Sequence, residues 1–235
     1  MSVTISVIIP VFNEGTGTKN LVRDLTTNDG YNEIIVVDAS TNDASRACLV
    51  ELATEFDGTR LAVYYIDDRG RARQMNFGSA HANSDILLFL HADTLLPDCA
   101  TAVINEVVQA GALWGRFDVR LDADGWWFRI VETAMNCRSA LTGIATGDQA
   151  IFVRRGLFES MGGYADIALM EDIDLSRRLK RIAPPVRLRD SVVTSARRWQ
   201  GGGVFATVIR MWTLRLLFWF GVSPNRLERW YGNAR

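Results

Sequence analysis

Cysteine, histidine and proline are scarce in this chain of 235 residues, and each scarcity excludes a class of protein. The three cysteines, Cys48, Cys99 and Cys137, are far apart and form no Cys-x-x-Cys pair, so neither a disulfide framework nor a zinc ribbon is indicated. Two histidines, His81 and His91, are too few for a multi-histidine metal cage. With 48% apolar residues and only five prolines, the chain is neither disordered nor collagen-like. The cysteine usage favours a reducing compartment, and we expect a cytoplasmic protein.

The sequence also lacks an apolar run that reads as a membrane span. The run Val3–Phe12 is short, contains Pro10 and has no basic leader, so a signal peptide is not expected. The longest apolar tract, Val204–Val222, contains Arg210 and Arg215, each of which would cost about 2.5–3.5 kcal/mol near the centre of a bilayer. This tract predicts a helix that is buried against protein, pairs with a second copy, or lies on a membrane surface.

The net charge of the whole chain is nearly zero, but the charged residues are distributed unevenly along the sequence. Residues 197–235 carry seven arginines and one acid, a charge of +6, which leaves −7 on the rest of a chain whose total is −1. We therefore expect a main domain over 1–199, followed by a helical tail at 200–235. A basic terminal segment favours an anionic partner, and we expect residues 203–230 to contact a membrane surface at its inner face. Nucleic acid is not an expected partner.

Short β-branched runs alternate with amphipathic segments through the first 110 residues. The predicted strands cover 3–9, 33–37, 61–66 and 85–90, and the predicted helices cover 19–27, 43–56, 70–83 and 97–110. Either Asn42 or Asp43 caps the second helix. The second half is less regular, with strands at 114–121 and 149–153, helices at 126–141 and 172–182, and an extended segment at 192–199. This order predicts one α/β domain, a mainly parallel sheet with helices on both faces and a helical tail.

Polar side chains follow three of the four predicted parallel strands. Asn13 and Glu14 follow the first strand, Asp38 ends the second, and His91-Ala92-Asp93 follows the fourth. Asp and Asn are common in turns and helix caps, which is the alternative explanation for each of them. Ligands of such sheets bind beyond the carboxyl ends of the strands, so acids at three ends favour a binding site.

Four segments in series resemble the ordered motifs of family 2 glycosyltransferases, which have the GT-A fold. They are 7–14 (VIIPVFNE), 35–40 (IVVDAS), 88–93 (LFLHAD) and 170–175 (MEDIDL). Three further segments, 70–76, 147–150 and 197–199, resemble a small bacterial subgroup associated with radical-SAM and selenoprotein gene neighbourhoods. The resemblance implies a nucleotide-sugar donor and a GT-A catalytic domain over 1–199, with a nucleotide half at 1–96 and an acceptor half at 97–199.

The resemblance assigns the donor site as follows. Asp38 would accept a hydrogen bond from an N–H of the base, typically uracil, which implies a UDP-sugar. Arg71 would lie beside the base or the phosphates; the alternative is a solvated arginine at a helix start. Asp148 would contact sugar hydroxyls and Arg198 the diphosphate, although Asp148 is also explained by a turn. The complete donor set is Pro10, Phe12, Glu14, Asp38, Arg71, Ala92, Asp148 and Arg198.

A divalent cation is implied by the diphosphate leaving group. The family motif Asp-x-Asp is replaced by His91-Ala92-Asp93, so Asp93 is the expected ligand of Mn²⁺ or Mg²⁺. His91 is either a second ligand, which would suit Mn²⁺ better than Mg²⁺, a hydrogen-bond partner of ribose or phosphate, or a support for the loop.

The acidic pair Glu171-Asp172 resembles the catalytic pair of inverting family members. Asp172 would deprotonate the acceptor hydroxyl, with Glu171 beside it; the alternative is that both are ordinary charges in a first helical turn. The acceptor is unknown, and a lipid-linked acceptor would suit the tail. Two other functions stay open, a nucleotidyltransferase and a catalytically degenerate sugar-nucleotide-binding or membrane scaffold protein.

Overall fold

One eight-stranded sheet organises the protein. The computed structural model describes residues 3–14, 16–56, 60–197 and 203–232. The strands run in the order β3-β2-β1-β4-β7-β6-β8-β5 across the sheet. Their bounds are β1 Ile5–Val11, β2 Glu33–Asp38, β3 Leu61–Tyr65, β4 Ile86–Phe89, β5 Thr94–Leu95, β6 Trp114–Leu121, β7 Ile151–Arg154 and β8 Val186–Thr194.

The helices lie on both faces of this sheet. They are α1 Thr16–Thr27, α2 Asp43–Glu55, α3 Arg71–His81, α4 Ala100–Gln109, α5 Trp126–Thr142, α6 Arg155–Ser160, α7 Glu171–Lys180, α8 Val204–Trp219 and α9 Pro224–Gly232, with a 3₁₀ turn at Gly147–Gln149. One core cluster joins α1, α2 and α4 to one face, and a second joins α3 and α7 to the other. Neighbouring residues of β1 divide between them: Val7 and Ile9 belong to the first cluster and Ile8 to the second. The predicted α/β architecture is confirmed.

The first four strands are parallel neighbours, as the sequence predicts. Strand β1 pairs with β2 on one side and β4 on the other, and Val11 lies opposite Asp38 at the carboxyl end. Strand β7 then enters antiparallel between β4 and β6, and β6 pairs in parallel with β8. The carboxyl ends of β1, β2 and β4 therefore meet at one rim.

Several details differ from the sequence prediction or go beyond it. Helix α1 begins at Thr16, three residues earlier than predicted, and β8 begins at Val186 rather than 192. Asn42, not Asp43, caps α2, because its side chain accepts a hydrogen bond from the backbone N–H of Ser45. Two short elements, β5 and α6, were not predicted, because two to six residues give too little periodicity to recognise, whereas α9 lies in the predicted helical tail.

The two C-terminal helices dock on the catalytic domain. Leu214 of α8 and Leu227 of α9 are 3% and 0% exposed and pack in one cluster with Met170 and Ile173, at the start of α7. Val208 of α8 packs in another cluster with residues of α5. One face of the predicted apolar helix is therefore buried within the chain. No helix among the described residues is long and apolar enough to span a membrane.

Candidate active site

The rim of the sheet is held together at the ends of β1 and β2. Gln74 of α3 is buried and donates from its amide to the carbonyl oxygens of Val11, at 2.7 Å, and Val37, at 2.8 Å. Asn13, at a positive φ of 56°, accepts the backbone N–H of Thr41 on its side chain at 3.1 Å. The two loops that follow these strands are thus fixed relative to each other.

Asp38 lies at this rim, and only one of its two carboxylate oxygens accepts a hydrogen bond from the described residues. Its Oδ1 accepts the backbone N–H of Ser40 at 2.9 Å, while Oδ2 is buried and has no hydrogen-bond partner among the described residues. Unsatisfied buried oxygens are rare in folded proteins. The free Oδ2 matches the acceptor that the sequence predicts for a nucleobase N–H.

The other residues predicted at the nucleoside pocket lie around the same loop. Pro10 is buried in β1 and pairs with Val37, next to the Val11–Asp38 pair. The half-buried Phe12 carries the guanidinium of Arg69 over its ring, 4.2 Å from the ring centre. Glu14 pairs with Arg197 at 3.2 Å, which joins this loop to the far end of the domain. Arg198, the predicted diphosphate contact, lies outside the described residues.

The His91-Ala92-Asp93 segment follows β4 on the same rim. Ala92 is 7% exposed and its methyl group packs into the core, which leaves only its backbone to face a ligand. Asp93 is half-buried and its charge acts on Arg71. The ring of His91 lies against Gly147, so closely that any side chain at position 147 would collide with Nε2. His91 thus touches the turn that carries Asp148.

Glu171 is the buried member of the acidic pair. It is 4% exposed, and its Oε1 accepts a hydrogen bond of 3.4 Å from Arg71 of α3. Burial raises the pKa of the Glu171 carboxyl; Arg71 opposes this shift and Asp172 adds to it. The pairing explains why Arg71, expected near the donor, lies beside the catalytic pair.

Asp172 is more exposed and is aimed by backbone groups. Its Oδ2 accepts the N–H of Gly147 at 2.8 Å, and its Oδ1 accepts the N–H of Ile173 at 2.7 Å. Through Gly147, which contacts both Asp172 and His91, the two predicted motifs meet. A carboxylate oxygen has further lone pairs, so Asp172 can still accept a proton.

The Gly162-Gly163-Tyr164 loop packs beneath this pair. Gly163 has a φ of 70°, and a Cβ there would lie 2.6 Å from Oδ1 of Asn76. Asn76 exchanges two hydrogen bonds with the backbone of Tyr164, at 2.8 and 2.9 Å. Burial raises the pKa of the Tyr164 hydroxyl well above its usual range, and the charges of Asp172 and Glu171 raise it further. Position 163 therefore requires glycine, because Asn76 approaches the backbone of this loop closely.

The protein alone does not form a complete metal cage. No group of three His, Cys, Asp or Glu side chains in the described ranges could hold an ion. Asp93 nevertheless fits a site completed by substrate, since Mg²⁺ and Mn²⁺ are commonly held by one or two carboxylates together with phosphate oxygens and water. Asp148 belongs to the same region, with a buried Oδ1 that has no described partner.

Three features of the site could not be recognised in the sequence. Gln74 clamps the strand ends, Arg138 of α5 lies near Asp148 and Asp172, and Tyr231 of α9 acts on Arg71. Gln74 stands in the segment that resembles the bacterial subgroup, which was the one available signal. The other two depend on how α5 and the C-terminal helices pack.

The chain is similar in sequence to two curated glycosyltransferases. The chain is 26% identical over 210 residues to the probable glycosyltransferase YdaM of Bacillus subtilis. The aligned region covers 81% of this chain and 50% of that protein. The chain is also 28% identical over 98 residues to the undecaprenyl-phosphate 4-deoxy-4-formamido-L-arabinose transferase of Salmonella choleraesuis, covering 40% of this chain and 30% of that protein. The chain therefore spans half the length of the first relative and less of the second.

A solved structure shares the fold. The mannosyltransferase PcManGT of Pyrobaculum calidifontis, in complex with GDP-Man and Mn²⁺, superposes with a TM-score of 0.64 at 18% identity, over 82% of this chain and 57% of that one. This likeness confirms the predicted GT-A fold. The model of glycosyl transferase family 2 matches residues 6–160, about two thirds of the sequence. The protein belongs to glycosyl transferase family 2.

Proposed function

We propose that the protein transfers a sugar from a UDP-sugar to an acceptor hydroxyl group with inversion at the anomeric carbon. The observation that carries this proposal is the position of Asp172, which the Gly147 backbone holds close to Arg71 and to the His91–Asp93 segment. A proton acceptor thus stands beside the groups expected at the donor diphosphate. Family membership argues against the nucleotidyltransferase alternative.

On the donor side, the free Oδ2 of Asp38 would accept the imino N–H of the base. Arg71, 40% exposed on its side chain, would face the diphosphate. Asp93 would hold a divalent cation, with His91 as a further candidate ligand, and the bound cation would neutralise charge on the leaving diphosphate. Asp148, with its buried unpartnered Oδ1, would accept from a sugar hydroxyl.

On the acceptor side, Asp172 would take the proton of the attacking hydroxyl. The acceptor oxygen forms a bond to the anomeric carbon as the bond from that carbon to the diphosphate oxygen breaks. The nucleoside diphosphate leaves with the electron pair of that bond. Attack from the face opposite the leaving group gives inversion. Glu171 keeps Arg71 in place and would not itself receive the proton.

The test is hydrolysis of UDP-sugars with Mn²⁺ or Mg²⁺ for the wild type and three variants. Asp172→Asn is expected to lower kcat by about 10²–10⁴-fold, the usual contribution of a positioned base. Asp93→Ala should lose metal-dependent activity. Asp174→Asn is the matched control, because Asp174 lies in the same helical turn but pairs with Arg178 at 2.8 Å. Equal activity of Asp172→Asn and Asp174→Asn would refute the assignment.

We propose further that the outer face of α8 lies on an anionic membrane surface. Large apolar side chains at 209, 212, 216, 219 and 220 form one exposed stripe; Ile209 is 66% and Trp219 70% exposed. In α9, Arg226 and Arg229 outnumber the one acid, Glu228, so the charge of this helix suits anionic headgroups. The Salmonella relative is named for a lipid phosphate acceptor, which supports a lipid-linked acceptor here.

Vesicle co-sedimentation tests this surface. Ile209→Ser should weaken binding to vesicles that contain phosphatidylglycerol by about tenfold, since an apolar side chain transferred from water contributes about 1.5 kcal/mol or more. Ile182→Ser is the control, because Ile182 is 54% exposed but lies after α7. The wild type could instead fail to bind the vesicles and form dimers that Ile209→Ser dissociates. That result would show that the exposed face of α8 binds a second copy of the chain and not a membrane.

A further inference from the structure

Two buried arginine nitrogens lack a hydrogen-bond partner. They are Nε of Arg138 in α5 and Nε of Arg215 in α8, two of six such side-chain atoms among the described residues. Since buried polar atoms are nearly always hydrogen-bonded, two unpartnered N–H donors on helices that pack together call for a ligand that accepts hydrogen bonds.

The packing of α5 and α8 brings the two arginines together. Val208 of α8 packs in one cluster with Val131 and Met135 of α5. Arg138 lies seven residues, about two helical turns, after Val131, and Arg215 lies equally far after Val208. Leu214, next to Arg215, packs with Ile144, which follows the end of α5, so the two arginines lie toward the same end of this contact and their charges act on each other.

The two arginines form a pair of like charges, and neither takes part in a salt bridge within the described ranges. Arg138 donates one long hydrogen bond, 3.4 Å, to Oγ1 of Thr146. Burial and the charge of Arg215 lower the pKa of Arg138 to about 10, so Arg138 is still protonated at neutral pH. Asp148 and Asp172 are near enough to act on Arg138 but form no ion pair with it.

We infer that Arg138 and Arg215 bind the phosphate group of the acceptor. The planar donor fork of arginine matches phosphate oxygens, and two such forks with free Nε–H groups can hold one phosphate from two sides. The inference rests on the proposed function and narrows it, because the substrate that receives the sugar would be a phosphate-bearing molecule.

The charge distribution separates this phosphate from that of the donor. Arg71 lies among Glu171, Asp172 and Asp93, whereas Arg138 lies among Arg215, Asp148 and Asp172. Of the charged groups that act most strongly on the two arginines, Asp172 alone is shared. The general base would therefore stand between a donor diphosphate beside Arg71 and an acceptor phosphate beside Arg138.

Calorimetry on the full chain tests the inference without turnover. The protein is saturated with UDP and Mg²⁺ and then titrated with hexyl phosphate, with hexanol as the uncharged comparison. Hexyl phosphate should bind while hexanol does not. Arg215→Gln and Arg138→Gln should weaken hexyl phosphate binding by about tenfold, a typical effect of removing a charge-assisted hydrogen bond, and Arg215→Lys by less. Arg210→Gln, in the same helix as Arg215, is the matched control.

Each result decides between distinct outcomes. Binding of hexyl phosphate that disappears when UDP is present would assign the pair to the donor diphosphate and overturn the inference. Equal binding by Arg215→Gln and Arg210→Gln, or no binding by the wild type, would also overturn it. If Arg138→Gln fails to fold, the two Arg215 variants decide. UDP-sugar hydrolysis by the Asp172 variants is independent of this titration, so the proposed function and the inference can fail separately.

Discussion

Gly147 is the residue at which the predicted metal motif and the predicted catalytic motif touch. Its N–H aims Asp172, and its bare Cα accommodates the ring of His91. Gly147→Ala should therefore displace His91 or the turn, destabilise the protein by about 1–3 kcal/mol and reduce kcat sharply. Urea denaturation and UDP-sugar hydrolysis measure the two effects.

Gly156→Ala is the control for this substitution. Gly156 lies in α6 with no atom within 4 Å of the added Cβ, so the variant should keep full activity and gain at most about 1 kcal/mol from helix propensity. Full activity of Gly147→Ala would show that the turn does not position the base.

Glu171 should make stability depend on pH in a defined direction. Burial raises its pKa in the folded protein above the ordinary 4.5, so the folded state binds the Glu171 proton more tightly than the unfolded state. The stabilising effect is full below pH 4.5 and is lost as pH rises through the raised folded value. Relative to Glu171→Gln, the wild type should therefore lose stability between pH 4 and pH 7, measured by urea denaturation at each pH. A constant difference, or one of opposite sign, would contradict the direction of the shift.

At the residue scale, motifs identify side chains that the fold then places. Asp38, Asp93 and Asp172 are recognisable because the first two stand at or just after the end of a strand and the third at the start of a helix. Arg138 and Arg215 are not, because 77 residues separate them and only the packing of two helices joins them.

Helix α8 has one face that holds the domain together and one that does not. Leu214 is 3% exposed in the cluster with Met170 and Ile173, whereas Leu216 is 54% exposed. Leu214→Ala should cost about 2–5 kcal/mol in the stability of the docked helices, and Leu216→Ala about 0.5 kcal/mol or less. Hydrogen exchange of α8 and α9 measures this local stability. Equal protection in both variants would mean that α8 is not anchored through Leu214.

At the scale of elements, length decides what the sequence can predict. The buried strands β1, β2 and β4 are continuous apolar runs bounded by polar residues, and their parallel pairing follows from the helices between them. The antiparallel insertion of β7 and the two-residue β5 follow from distant partners, which no local pattern records. The docking of α8 on the same chain was one of three open alternatives. An apolar sequence indicates that a helix is covered, but it does not indicate whether protein, a second copy or a membrane covers it.

At the scale of the whole molecule, binding of ligands at the proposed donor site should increase the free energy of unfolding. UDP with Mg²⁺ or Mn²⁺ at about 100 times the dissociation constant should stabilise the fold by about 2.7 kcal/mol, and the metal alone should do little, since Asp93 by itself is a weak ligand set. Thermal denaturation with each component separately and together measures this. Strong stabilisation by the metal alone would indicate a preformed cage.

Residues 197–235 and the rest of the chain divide the charge of the molecule, +6 against −7, in a way that the structure makes meaningful. Glu14 at the nucleotide rim pairs with Arg197 at the start of the basic segment, and Arg215 reaches the region of Asp148. The near-neutral total thus comes from two parts whose opposite charges meet beside the site. The composition of each part was readable in the sequence, but their contact was not.

Because α8 and α9 pack on the start of α7, the two ends of the chain supply different parts of the proposed site. The loops proposed to bind the base come from the first 40 residues, while Arg215 and Tyr231, which act on Arg138 and Arg71, come from the last 35. A relative could therefore acquire a new acceptor by exchanging its tail, with its donor preference unchanged. Chimeras joined after Trp199 are the natural way to reprogram such an enzyme.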